Sequence, residues 1–544
     1  MLRKGSRLAL LGALMLVLAM LLASCGGGKP AQEQPPAPAK EKVITVAMWG
    51  PPNNFSPINT DSDYGYYPVN FMFDTLVSLD KDFNFVGRLA EKWEESPDGR
   101  TFTFHINPKA NWHDGKPVTS DDILFTLNLI TDPTVQTNRG AYVSYIEGTD
   151  DNGKRNGGEL TGFKKIDDKT FSITTKTPVD KLMLFEMMGC QVWYLPKHVL
   201  ENVPPADLAK DPFFQKPTVG NGPFKFVQYA TDQYVELARN DDYYLGKPKV
   251  DKIFVRIVTP ATIVAELEKG TIDLTAMAGI SGIPLQDWER VKSLTNVESF
   301  SFPTTNYQYI EINHRKAYLH NDVRVRQALV YAINRQMLVD QLLKGTGSVC
   351  NAPVPPMGKY FDKDLKGYPY DPEKAKELLK AAGWDNNREL KVLVPIGNKV
   401  REQSADIIVQ NFAAVGVKAK IQKMDFPTMM ATLKTDNWDL AFIGWGGNMD
   451  PDVRSQYRTG GEYNDMKYSS KKMDQLLDQG ASEPDFQKRF EIYKQVQQLF
   501  VDDVPVIFLY WQDGTGAVSK RVTGVNIIGA QYPNWDAYLW DIKE

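Results

Sequence analysis

Leu390-Lys-Val-Leu-Val394, Val417-Lys-Ala-Lys-Ile-Gln-Lys423 and Asp439-Leu-Ala-Phe-Ile-Gly444 are three short apolar or alternating runs set close together in the chain. Helical periodicity fills both gaps, from about Val400 to Val415 and from about Pro427 to Thr435, and Gly416 stands where the first helix must stop. Just upstream, Asp371-Pro372 caps a further helix carrying Ala375, Leu378, Leu379 and Ala382, which Gly383 ends. Three strands joined by two crossover helices imply a parallel sheet with right-handed connections, and ligands of such open sheets bind off the carboxyl ends of the strands.

That edge is reached by Asp439-Leu-Ala-Phe-Ile-Gly-Trp-Gly-Gly-Asn-Met-Asp-Pro-Asp452. A buried strand breaks at Gly444 and delivers Trp445, Gly446, Gly447, Asn448 and Asp450 to the sheet's carboxyl end. Glycines let a ligand approach the backbone, the indole offers a flat apolar wall, and the polar side chains offer directional hydrogen bonds. Gly-Gly and Asp-Pro are also ordinary turn punctuation, and Trp445 could be core.

The same strand and helix grammar appears at Lys252 to Val258, Ala261 to Lys269 and Ile272 to Met277. Val43 to Met48 reads as a first strand running into the loop Trp49-Gly-Pro-Pro-Asn-Asn-Phe55, placing Asn53, Asn54 and Phe55 where ligands often lie. Period-two patterns at 101 to 106 and 170 to 175 suggest antiparallel sheet in a separate small region. Between them Thr119-Ser-Asp-Asp122 starts a helix in capping-box fashion.

At the amino end, Arg3, Lys4 and Arg7 precede an uncharged apolar run from Leu8 to Ala23 that closes on Leu22-Ala-Ser-Cys25, the pattern of a bacterial lipoprotein signal. The run is shorter than the ~20 residues a spanning helix needs. Cleavage before Cys25 and lipidation of its sulfur would leave the protein outside the membrane, held by lipid. An uncleaved anchor helix is the alternative. Residues 25–41, rich in Gly, Pro, Ala, Gln and Lys, hold no large apolar side chain and read as a disordered, proline-stiffened tether.

A hydrophobic content of 42% over 544 residues supports a large core split among two or three domains. The formal net charge of −4 becomes more acidic by three when the signal leaves, and no basic tract interleaved with aromatics survives, so nucleic acid is not an expected partner. Apart from Cys25, Cys190 and Cys350 are expected to be buried thiols, because a bridge between them would lock any hinge. No Cys/His cluster or H-E-x-x-H supports a metal site, and no cofactor motif is present. His105 and His113 are assigned to packing and turn bonding. The single catalytic-looking match, the S-x-x-K at Ser469-Ser-Lys-Lys472, lacks the partner motifs of a hydrolase, so no enzymatic activity is expected.

Five segments, in order, carry a resemblance: Ser96-Pro-Asp-Gly-Arg-Thr-Phe-Thr-Phe-His105, Trp112-His-Asp-Gly-Lys-Pro-Val-Thr-Ser-Asp-Asp122, Gly220-Asn-Gly-Pro-Phe-Lys-Phe226, Asn321 to Asn334, and Gly444-Trp445. The chain resembles the family 5 extracellular solute-binding proteins, the dipeptide, oligopeptide and nickel receptors of ABC importers. The resemblance implies a two-lobed α/β fold of the periplasmic-binding-protein kind (type II, cluster C) with an extra α+β domain on the first lobe. Lobe I would comprise 42–80, 215–302 and 506–544, the extra domain 81–214, and lobe II 303–505. The lobes would close by a hinge over a small solute, with a short peptide as the expected ligand and an oligosaccharide or metal chelate as the alternative. The permease subunits of the importer and, through Cys25, the membrane would be the partners of an expected monomer.

In such receptors an aspartate three residues after the Gly-Trp tryptophan holds the ligand's α-ammonium, and here that position is Asn448, which leaves the ligand class open. Asp450 could substitute or cap the turn before Pro451. Tyr307, Tyr309 and Trp511 are expected near the mouth of the cleft, although each could equally pack the hinge, the role preferred for Tyr510. Arg401 could meet a ligand carboxylate or lie solvated on its helix.

Overall fold

The computed structural model describes residues 40–60, 62–275, 280–527 and 534–543. The chain divides into Met1–Glu41 and a compact unit, Lys42–Glu544. The expected signal, Cys25 and nearly all of the tether lie outside the described residues. Among the described residues no helix is long and apolar enough to cross a membrane.

The strand Val43–Met48 sits inside a seven-stranded sheet because five of its six side chains are apolar and four of the six residues become fully buried. It pairs in parallel with Lys252–Ile257 on one side and Leu274–Thr275 on the other. The helix Ile263–Glu268 connects those two strands, so the expected βαβ unit is present, with the amino-terminal strand inserted between its members. Phe224–Ala230 and Tyr234–Arg239 extend one edge, and Gly514–Ser519 and Val297–Phe302 the other.

The second sheet has six strands, in the order Gly347–Val349, Val506–Gln512, Asn306–Ile312, Leu440–Gly446, Glu389–Pro395 and Lys418–Met424. Glu389–Pro395 runs parallel to both Lys418–Met424 and Leu440–Gly446, with the helices Lys399–Ala414 and Phe426–Leu433 as crossovers. The three runs that open the sequence reading therefore form the parallel half of this sheet. Val506–Gln512 pairs with Asn306–Ile312, so these seven residues belong to the second sheet and not to lobe I, and the second crossing falls at Asp513. The strand is apolar at nearly every position, which suits an interior position but does not say in which sheet.

Thr101–Ile106 and Thr170–Thr174 pair antiparallel within a separate four-stranded sheet. The helix Ser120–Thr131 begins where Thr119 N–H donates to the Asp122 carboxylate at 2.8 Å. One hydrophobic core runs without a break from the seven-stranded sheet (Ile44, Val46, Ile253) into this region (Phe102, Phe104, Phe171, Phe185). Two other cores cover the two faces of the six-stranded sheet.

The chain passes between the large sheets twice, at Pro303-Thr304-Thr305 and at Asp513. The crossings touch: Thr304 Oγ1 donates to the Gln512 carbonyl at 2.6 Å. Phe302 lies across from Gly514, where a Cβ would sit 2.3 Å from the phenyl ring, so only glycine admits the ring there.

Cys190 and Cys350 are free thiols; Cys350 is buried as expected, whereas Cys190 is only half-buried, and desolvation pushes both thiols well above the ordinary range. Both should resist alkylation in native buffer and label fully after unfolding, as read by peptide mass spectrometry. Fast native labelling at either would contradict this packing.

Candidate functional site

The strand Leu440–Gly446 leaves the core at Gly444, which has no room for a side chain. A Cβ there would lie 2.3 Å from Gln308 Nε2 and 2.6 Å from Arg401 Nη2. Arg401 stands in the first turn of Lys399–Ala414, its N–H capped by Asn398 Oδ1 at 3.0 Å and its Nε donating to Gln308 Oε1 at 2.8 Å. Burial pulls its pKa down, and only the Tyr510 and Tyr309 phenols oppose that pull. Among the described residues no carboxylate pairs with it, so a half-buried guanidinium is held at the sheet's carboxyl edge with donors to spare.

Beyond Gly446, Gly447 N–H donates to the Thr305 carbonyl at 2.9 Å, tying the loop to the first crossing. Trp445 is half-buried edge-to-face against Tyr463, and Asn448 is exposed. Asp450 is buried, and both of its oxygens are taken by Arg489 at 2.7 and 3.0 Å. One of them also accepts from Asp452 N–H at 3.0 Å. Burial raises the Asp450 carboxyl and Arg489 opposes the rise. With its charge neutralised internally, Asp450 anchors this loop and caps the turn.

Tyr307, Tyr309 and Trp511 are also turned inward. Tyr307 packs against Trp511 with ring centroids 5.1 Å apart and against Tyr309 at 5.4 Å, and none of the three is more than 3% exposed. They project onto the face of the six-stranded sheet packed by the helices Phe426–Leu433, Lys471–Ser482 and Phe486–Asp503, so they are core side chains and not open to a cleft. On the opposite face Tyr510 hydrogen-bonds Ser404 at 3.1 Å, in the packing role expected of it. Phe55 is core as well, against Phe226 and Tyr229, while Asn54 Oδ1 caps Ser56 N–H at 2.9 Å and Asn53 remains exposed.

A cleft of about 480 Å³ opens beside Asn448. One wall belongs to the domain built around the four-stranded sheet and presents Met183 and Met187 with Ala141 and Ser144. The facing wall follows Asn448 through Asp452, Arg454, Ser455 and Arg458. Arg454 is paired with Asp452 at 2.7 Å and Arg458 with Asp478 at 2.8 Å, so this wall is polar, with its charges largely balanced. A flexible apolar face opposite a rigid polar one suits an elongated ligand of mixed character. The sequence reading missed this lining apart from Asn448 and Asp450. The Met183 to Met188 cluster was the available signal.

The two histidines singled out earlier have local partners. His113 accepts from Gly220 N–H at 3.0 Å and meets the Gly222 carbonyl, with burial holding its pKa near 4, while His105 pairs with Glu94. Ser469 accepts a hydrogen bond from Thr459 at 3.0 Å. Among the described residues no group of three His, Cys, Asp or Glu could hold a metal ion.

Two lobes joined by paired crossings, with a cleft between them, define a solute-binding architecture. The chain belongs to the bacterial extracellular solute-binding proteins, family 5, whose middle-region model matches residues 84–467. It is therefore a non-enzymatic, exported binding protein. It is 28% identical to the oligopeptide-binding protein AppA of Bacillus subtilis, over 98% of each chain. Heme-binding protein A of Haemophilus influenzae is 29% identical over 80% of each chain. The ABC transporter substrate-binding protein CtaP of Listeria monocytogenes shares the fold with a TM-score of 0.81 at 25% identity, covering 93% of this chain and 100% of that one.

Removing Arg489 would leave Asp450 buried without its cation. Arg489→Ala should lower stability by about 3–5 kcal/mol in urea unfolding. A loss below about 1 kcal/mol would show that the pair does not hold this loop.

Proposed function

We propose that the protein captures short peptides in the cleft between its lobes and hands them to the permease of an ABC importer. What carries the reading is the cleft itself, whose apolar methionine wall faces a polar wall that begins at Asn448 where the glycine-broken strand ends. Its volume falls within the usual few-hundred-Å³ range of small-ligand sites. Full-length similarity to an oligopeptide-binding protein supports the ligand class. Arg401, without a carboxylate partner, supplies a site for a peptide's terminal carboxylate, while Asn448 offers its amide to the amino end with less grip than an aspartate would give. Trp445 and residues 446–448 complete the ligand surface on lobe II, and Asn53 and Asn54 are the proposed contribution of lobe I.

In this reading lobe I comprises 42–80, 215–302 and 513–544, the extra domain 81–214, and lobe II 303–512, with closure about the two crossings. Lipid on Cys25 tethers the receptor to the outer face of the membrane, close to its permease. A non-peptide solute is the second reading, favoured by the neutral Asn448 and the half-exposed indole of Trp445, which suit a sugar face or a chelate.

Mass spectrometry of small molecules released from gently purified protein should recover short peptides. Recovery of a glycan or metal chelate without peptides would establish the second reading. Asn448→Asp should tighten peptide binding about tenfold by adding a charge-assisted bond to the α-ammonium, and unchanged affinity would remove Asn448 from that role. Saturating ligand should also shrink the radius of gyration in small-angle scattering.

A further inference from the structure

Between Met183 and Met187 on the cleft's apolar wall, Glu186 turns inward within a single π-helical turn, Phe185–Gly189. Its carboxylate crosses to the other lobe and accepts two consecutive backbone N–H groups, Met449 at 2.5 Å and Asp450 at 2.7 Å. These are the residues directly after Asn448. Both sides of the contact are buried, with Glu186 8% and Met449 2% exposed. A second bridge runs alongside, where Tyr360 Oη donates to Asp180 Oδ2 at 2.8 Å and Arg489 approaches the same carboxylate at 3.9 Å. Leu182 enters the second lobe's core between the two bridges.

From this geometry we infer that Glu186 is a positioning residue for ligand binding: its carboxylate, supplied by the extra domain, fixes the backbone of the 447–450 loop of lobe II and so sets where Asn448 meets the cleft. A carboxylate is the group suited to the task, since it presents two acceptors and no donor to two adjacent N–H groups. The contact lies close to the crossings, because the same loop is bonded to Thr305 through Gly447. It thus acts as a fulcrum that can persist while the outer parts of the lobes move. For Asn448 this assignment rests on the cleft being the binding site, whereas the Glu186 contact with the loop can be measured without any ligand.

Two titratable groups act on Glu186 directly, Asp450 on the loop and the Cys190 thiol on its own segment, while Arg489 on the helix Phe486–Asp503 pairs with Asp450 and approaches Asp180 beyond them. Burial, the largest influence, lifts the Glu186 carboxyl to about 7, with the two N–H groups opposing the rise and Asp450 adding to it. Protonation would replace one acceptor with a donor facing an N–H group. The grip is therefore full above that pH and weakens as pH falls through it, although the raised pKa means that ionising Glu186 costs the fold stability between the ordinary carboxyl range and neutrality.

Hydrogen exchange read by mass spectrometry on the ligand-free, full-length protein tests this. In Glu186→Gln, which preserves shape and loses one acceptor, protection of the Met449 and Asp450 amides should fall at least about tenfold while Ile310 and Val392 keep theirs. In the unaltered protein the same two protection factors should fall as pH is lowered from about 8 to about 6, and Glu186→Gln should abolish that dependence. Trialanine should bind Glu186→Gln more weakly than it binds the unaltered protein. Unchanged loop protection, or an equal loss across both lobes, would overturn the assignment. If the variant does not fold, a flat pH profile in the unaltered protein would overturn it alone. If trialanine does not bind the unaltered protein, the peptide reading fails and the exchange data still decide the role of Glu186.

Discussion

A guanidinium sealed from water holds the loop that lines one wall of the cleft. The Arg489 side chain is 1% exposed, forked onto Asp450, bonded through Nε to the Gly480 carbonyl at 2.8 Å, and set beside the rings of Tyr360 and Tyr493. Burying a cation is tolerable only when geometry satisfies it, and here the satisfying groups come from several parts of lobe II. The loop after Leu440–Gly446 gives a carboxylate, one helix end gives a carbonyl, and two tyrosines give faces. The Asp450 backbone N–H is in turn bonded to the Glu186 carboxylate at 2.7 Å from the other side of the cleft. The loop carrying Asn448 is therefore an over-determined piece of backbone, held by side chain and main chain from opposite lobes.

The sequence exposes some of this and hides the rest for identifiable reasons. Periodicity and glycine stops reveal the parallel half of the second sheet, because strand and crossover helix each leave a local signature between residues 371 and 446. Facing direction is harder. Trp445, Tyr307 and Trp511 are neighbours on three adjacent strands, yet only Trp445 stays half exposed, because helices cover the other two. Asp450 looks like a ligand carboxylate until its arginine, 39 residues away, is seen beside it. Glu186 is the least legible, since a glutamate among methionines reads as surface and its partners lie 263 and 264 residues further along.

The two walls of the cleft differ in mechanical character. Met183 and Met187 carry unbranched side chains that can repack around different shapes, whereas Asp452 with Arg454 and Arg458 with Asp478 are locked in pairs. As the proposed binding site, such a cleft would read what its ligands have in common through its polar wall and accommodate their differences on the methionine side.

The joined crossings bear on the character of the motion. A single strand between two bodies allows them to bend, twist and slide, whereas two strands side by side, bonded at Thr304 and Gln512 and wedged by Phe302 over Gly514, oppose twist and slide and leave one rotation free. The lobes therefore search a one-dimensional path. Little orientational entropy remains to be lost when they meet around a ligand, so more of the contact energy is retained as affinity.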